Sequence, residues 1–272
     1  NLFSKRSIMA FLQRNTTINT AGSLLSPFRF TLNKPSGTVE GDMMVCWICT
    51  DTSARRNVTT PSGWSVIYNQ SSPDLGGNAQ QFGYYKVATA SEPTTYDFQF
   101  SGSPQGWKGI ITSYYDTNGT GTWTVSSLGG GNRVFSTSIT SLSITGAGLY
   151  VTAFLNDGGD SPTTDNSPVP EILQNTQNSL GFITYGGDYT ATNHTITQTF
   201  SSTDDVYANN VIFAHQVSGD IVSKIRVGSA YKNILEGYVA VDSNSSGTPD
   251  VWKKIVSGSI KVSETKYKDI FK

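Results

Sequence analysis

The side chains able to do chemistry are few and scattered. The chain holds two histidines, His194 and His215, and two cysteines, Cys46 and Cys49. Neither histidine belongs to a G-x-S-x-G or H-E-x-x-H pattern, the local signatures of a nucleophile elbow and a zinc hydrolase. A Ser–His–Asp group assembles in space, so spacing alone does not decide it. With 67 Ser and Thr in the chain, about a quarter of it, candidate partners carry little information. Both histidines therefore read as structural. The cysteines lie in Met43-Met44-Val45-Cys46-Trp47-Ile48-Cys49, a run that reads as a strand. Residues three apart on a strand point to opposite faces, so these two thiols are poorly placed to bridge. A C-x-x-C redox motif would open a helix, and a zinc site needs two further ligands. Two buried free thiols are expected, which fits folding in a reducing cytosol.

Carboxylates are the next candidates. Asp157, Asp160 and Asp165 fall in a Gly/Pro/Ser/Thr loop, and Asp204-Asp205 in a turn. A glycosidase needs two acids across a cleft, but Asp is common in such loops simply because it forms Asx turns. For a metal, Asp242, Asn244 and Asp250 are the candidate calcium ligands, in Asp242-Ser243-Asn244-Ser245-Ser246-Gly247-Thr248-Pro249-Asp250. The position that should carry the bidentate Glu of a calcium loop is Lys253, so an insertion at the tip between two hairpins is the better reading. The loop over 156–166 is a comparable weak candidate. Among five tryptophans, Trp47 and Trp64 read as core, and Trp123 in Gly121-Thr122-Trp123-Thr124 reads as exposed. A flat ring with a polar edge suits glycan stacking, so Trp123 is the candidate glycan-binding residue. No catalytic residue and no cofactor are assigned, and the chain is expected to be non-enzymatic.

These side chains must be held by strands. Phe28, Phe30 and Leu32 alternate with Arg29 and Thr31; Trp64, Val66 and Tyr68 alternate likewise, as do Tyr96, Phe98 and Phe100. Each is a period-two strand with one buried face. Turn chemistry separates them, as in Pro61-Ser62-Gly63, Asn118-Gly119 and Gly129-Gly130-Gly131. About a dozen such strands predict an all-β, antiparallel, jelly-roll-like sandwich over 21–219, preceded by an arm over 1–20. Three runs, 43–49, 149–155 and 211–214, are apolar on both faces and so need cover on both. Long loops, the N-terminal arm or a neighbouring subunit would supply it.

Two repeats organise the chain. In the longer, Gly41-Asp42 before an apolar strand matches Gly146-Ala147-Gly148, and 96–101 matches 195–200. Ile110-Ile111 then matches Val211-Ile212. This predicts two related halves, about 21–120 and 121–219. In the shorter, 231–241 aligns without gaps on 252–262, each unit reading aromatic-Lys-x-Ile, then a Gly turn, then a β-branched strand. Residues 220–272 are thus expected to form small hairpins used for docking or oligomerisation, with Tyr231, Lys232, Ile234, Trp252, Lys253 and Ile255 as docking residues. Residues 221–272 carry nine of the 19 basic residues and five of the 20 acidic ones.

The 272 residues carry a formal charge of −1, with 14% charged and 36% hydrophobic residues. That balance disfavours a nucleic-acid binder, which needs a basic face, and it disfavours intrinsic disorder. No stretch approaches the length of a membrane-spanning helix, so no membrane insertion is expected. The chain starts at Asn1, so processing is an open option.

The chain resembles a family of tailed-bacteriophage virion proteins, mostly tail-fibre, baseplate or other appendage components. The matching elements are Val39-Glu40-Gly41-Asp42-Met43-Met44-Val45, Thr60-Pro61-Ser62-Gly63-Trp64, Tyr84-Tyr85-Lys86-Val87-Ala88 with Ala90-Ser91-Glu92-Pro93, then 96–101 and 107–116. The aromatic-Lys-x-Ile repeats are similar to short modules at the ends of phage tail proteins. The resemblance implies a virion structural protein assembled in the host cytoplasm and partnered by other virion proteins. It implies a homo-oligomer, commonly a trimer, with host surface glycans as a further partner. A capsid decoration or head-fibre protein and a secreted carbohydrate-binding module are the alternatives.

Overall fold

Alternating apolar and polar residues build strands wherever turn residues do not interrupt them. The computed structural model describes residues 11–21, 24–52, 54–69, 79–176 and 180–217, and the strands within 223–227, 230–234, 238–241 and 251–254. Among the described residues there is no helix. The fold is all-β, in several antiparallel sheets consistent with a sandwich.

The first half supplies β1 (Phe11–Ala21), β2 (Arg29–Asn33), β3 (Met43–Asp51), β4 (Val58–Thr59), β5 (Ser65–Asn69), β6 (Ala79–Val87), β7 (Thr95–Phe100) and β8 (Gly106–Asp116). One sheet runs β1-β8-β3-β6-β5 and a smaller one β2-β7-β4. The inward face of β7, Tyr96, Phe98 and Phe100, joins Phe30 and Leu32 of β2 against Met44, Cys46, Ile48, Phe82, Tyr84 and Ile111 of the larger sheet. Rings dominate this outer core: Phe30 lies 4.8 Å from Phe100 and 4.4 Å from Trp107, centroid to centroid. Burial of each such side chain contributes about 1.5–3 kcal/mol.

The second half supplies β9 (Gly121–Thr140), β10 (Ile144–Asn156), β11 (Pro162–Asp165), β12 (Glu171–Asn175), β13 (Gly181–His194) and β14 (Thr197–Val217). Their order is β11-β14-β10-β13-β12, and β9 pairs along β14. Gly148, at the head of β10, has φ +149°, and a Cβ there would lie 2.1 Å from the Phe213 carbonyl oxygen. Only glycine lets β10 approach β14 so closely.

The larger sheets of the two halves meet face to face. Val45, Trp47, Cys49, Ile110 and Tyr114 of the first half pack with Leu149, Val151, Ala153, Phe182, Val211 and Phe213 of the second. On the far face of the second half lies a third core, with Tyr150, Phe154, Ile183, Tyr185, Ile196 and Phe200. This layering corrects the expectation for the doubly apolar runs. One face of each run packs against the other half of the same chain, with Phe11 of the expected arm in that core, so no companion subunit is needed to cover it. Cys46 falls in the outer core and Cys49 in the inner one, both free thiols. The arm expected over 1–20 is, from Phe11 on, strand β1, paired along β8 at the sheet edge.

The C-terminal segment forms a separate unit after Val217. Its strands are β15 (Ser223–Val227), β16 (Ala230–Ile234), β17 (Tyr238–Val241) and β18 (Val251–Lys254). β15 pairs β16, and β17 pairs β18. The hairpin expected inside each repeat unit, 231–234 with 238–241, is therefore not the pairing found. The β15–β16 pairing runs from Ser223 opposite Ile234 to Val227 opposite Ala230.

Candidate functional site

Two acid groups read separately in the sequence come together where β10 ends beside the bend in β14. Fully buried Asn156 turns the chain: its Oδ1 accepts the N–H groups of Gly158 (2.9 Å) and Asp160 (3.1 Å). The Asp157 N–H donates to the Asp205 carbonyl at 3.0 Å, locking the loop to β14. One carboxylate oxygen each from Asp157, Asp204 and Asp205 then lies within 4.8 Å of the others. A Cβ on Gly158 would sit 2.5 Å from Asp204 Oδ2 and 2.8 Å from Asp160 Oδ2, so a side chain there would collide with both acids. Arg133 Nη2 pairs Asp205 Oδ1 at 2.8 Å and offsets part of the charge. This oxygen-only set contains the described residues that could hold a hard cation.

A second node ties the ends of β8 and β14 together. Asp116 Oδ2 accepts a hydrogen bond from His215 Nδ1 at 2.9 Å, with the two side chains 0% and 1% exposed. Asp116 Oδ1 accepts from the backbone N–H and the side-chain amide of Asn118, both at 2.8 Å. The His215 ring stacks 4.3 Å from Trp123, and the Trp123 ring lies 5.3 Å from Phe11. A carboxylate-oriented imidazole is the orienting part of a general base. Here His215 Nε2 is buried and meets no hydrogen-bond partner among the described residues, so the geometry is that of a clamp. Asp188 has its carboxyl raised, first by burial and then by the Asp116 charge.

A third group crosses between the halves. Lys108, 0% exposed, donates from Nζ to the carbonyls of Asn175 (3.0 Å) and Leu180. Burial pushes its ammonium down to about 8, while Cys49 opposes the shift. Burial also pushes the Cys49 thiol up to about 12. Nearby, Asn209 Nδ2 donates to Gln81 Oε1, both side chains buried.

The residues singled out from the sequence fare unevenly. Trp123 is buried, 8% exposed, and its indole N–H donates to the Gly41 carbonyl at 2.8 Å. It cannot present a face to a glycan, because Phe11 and His215 occupy its ring surfaces. Asp242, Asn244 and Asp250 lie outside the described residues, as does Ile255. Tyr231, Lys232 and Ile234 fall on β16, and Trp252 and Lys253 on β18. Sequence reasoning missed Asp116, Lys108, Gln81 and Asn209, polar residues inside strands with no local motif. Comparison with known proteins finds no family model and no curated protein that matches this chain.

Proposed function

We propose that the chain is a non-enzymatic structural protein of a tailed-phage virion, in the tail, baseplate or fibre apparatus, working as a homo-oligomer beside other virion proteins. The observation that carries this reading is the edge of β9. It is a 20-residue strand that pairs only β14 among the described residues. Leu128 is 51% and Phe135 69% exposed along it. A long, partly apolar edge is a ready template for another chain, and an assembled particle supplies one. The quoted resemblance motifs support the same reading. So does a body held by three apolar cores, its thiols inside them. The attachment role has lost Trp123 as its candidate residue.

Sedimentation of the full chain at micromolar concentration tests this. An oligomer is expected, a trimer foremost, and Phe135→Asp is expected to shift it at least tenfold toward monomer. A wild-type chain that stays monomeric at 100 µM (about a hundred times the starting concentration) would remove the reading. An antibody to the body should decorate the tails of particles that carry this protein.

A further inference from the structure

The two halves of the body follow one plan. Strand order β1-β8-β3-β6-β5 in the first is matched by β9-β14-β10-β13-β12 in the second, and β2-β7-β4 by β9-β14-β11. All the pairings are antiparallel in both. Residues 121–136 of β9 stand where β1 stands, and 138–140 where β2 does. Residues 197–200 and 204–217 of β14 take the places of β7 and β8.

Register agrees with order. Trp47 faces Ile110 on one side and Gly83 on the other. Val151 faces Val211 and Gly186 in the same way. Counted from these anchors, Cys49 falls with Ala153 in the inner core, and Phe82 with Tyr185 and Ile111 with Ile212 in the outer cores. Lys108 falls with Asn209, and each reaches a polar partner in the opposite half. Both glycines make room for an aromatic ring. A Cβ on Gly83 would lie 2.3 Å from Trp47, and one on Gly186 would lie 2.3 Å from the Tyr114 hydroxyl of the first half.

We infer that the body is a fused pair of one sandwich fold, and that the inner sheet face of each half is an interaction surface whose fitting partner is a second copy of that fold, here supplied in cis. Each half owns an outer core independent of the shared one, as a subunit of a symmetric dimer does. Buried polar hooks at the equivalent positions 108 and 209 differ in kind, an ammonium against two carbonyls and an amide against an amide. Such groups set pairing and register more than they add stability. The inference stands whether or not the virion reading does.

The halves are joined by the exposed residues 117–120. The test uses the full chain with a protease site inserted between Gly119 and Thr120. After cleavage the wild-type chain is expected to sediment as one particle of unchanged mass. Gly186→Leu puts a side chain where Tyr114 sits. It is expected to leave the uncut chain folded and to weaken association of the cleaved halves at least tenfold, each half keeping its β circular dichroism after separation. Val151→Asp, confined to the shared core, should behave alike. A cleaved wild type that sheds a half overturns the inference, as do cleaved variants that remain whole. Loss of β signal on separation, or in both uncut variants, shows a single indivisible core and overturns it too.

Discussion

The first half divides its chain where the second runs on. In the first, β1 and β2 are separate strands, as are β7 and β8; in the second, β9 and β14 each cover both positions in 20 and 21 residues. Continuity has a cost in regularity: the β9–β14 register shifts between Thr199 and Asp204 and twice more further along. The first shift places Asp204 and Asp205 at a bend, where they meet Asp157. The same long ribbon exposes Phe135. The outer cores differ as well, with stacked rings in the first half and Ile139, Ile144, Ile183 and Ile196 prominent in the second. One topology thus tolerates two solutions, and the acid cluster and Phe135 both lie on the half with the continuous ribbon.

Substitutions at equivalent positions sharpen this contrast. Phe98 and Gln198 both point into an outer core; Phe98 touches Phe30, Trp64 and Tyr84, while Gln198 accepts a hydrogen bond from Tyr185 Oη at 2.6 Å. In denaturant titration Phe98→Ala is expected to cost about 3–5 kcal/mol and Gln198→Ala about 1–3 kcal/mol. Equal costs would erase the distinction between an aromatic and a mixed core.

Acid should weaken the first half through Glu92. Burial alone would raise this carboxyl. Hydrogen bonds from Lys86, the Thr89 N–H, Tyr96 and the Thr89 hydroxyl outweigh it and hold the group at about 2. The folded value lies below the ordinary one, so the contribution is complete above about pH 4.5 and is lost as pH falls toward 2. A loss of up to about 3 kcal/mol is expected over that range, abolished in Glu92→Gln. A Glu92→Gln protein with an unchanged acid limb of its stability profile would show that the network is not coupled to folding.

Alkali should act on the seam between the halves. Lys108 has its ammonium lowered to about 8, below the ordinary value for lysine. Charging this buried amine therefore opposes folding below pH 8, and the penalty fades as pH rises. The Cys49 thiol, raised from 9.0 to about 12, acts in the opposite sense above pH 9. Stability should accordingly climb by about 1 kcal/mol between pH 8 and 9. In Lys108→Met this rise should be absent, and its persistence there would assign it elsewhere.

The smallest effect is expected at Trp123. Trp123→Phe keeps a ring between Phe11 and His215 but loses the bond to the Gly41 carbonyl, at a cost of about 1 kcal/mol. Retention on glycan columns should not change, and reduced retention would restore Trp123 as a binding residue.

Period two made much of the all-β character legible: β2 and β7 alternate as their residues predict, and Cys46 and Cys49 point to opposite faces as their spacing requires. The alignment of 96–101 on 195–200 was one residue out. It set Gln99 beside Gln198, whereas the inward faces put Phe100 with Phe200. A slip of one reverses every side chain on a strand, and hydroxyl-rich strands offer little to prevent it.

What the sequence determined by itself was local: which residues share a face, where turns interrupt strands, and that three runs needed cover on both sides. Which surface provides that cover was decided only by tertiary structure, because alternation names a face and not its neighbour. The same holds for His215 beside Asp116, Leu180 beside Lys108 and Gly41 beside Trp123. These lie 99, 72 and 82 residues away in the chain, and packing two sheets face to face brings them within hydrogen-bonding distance.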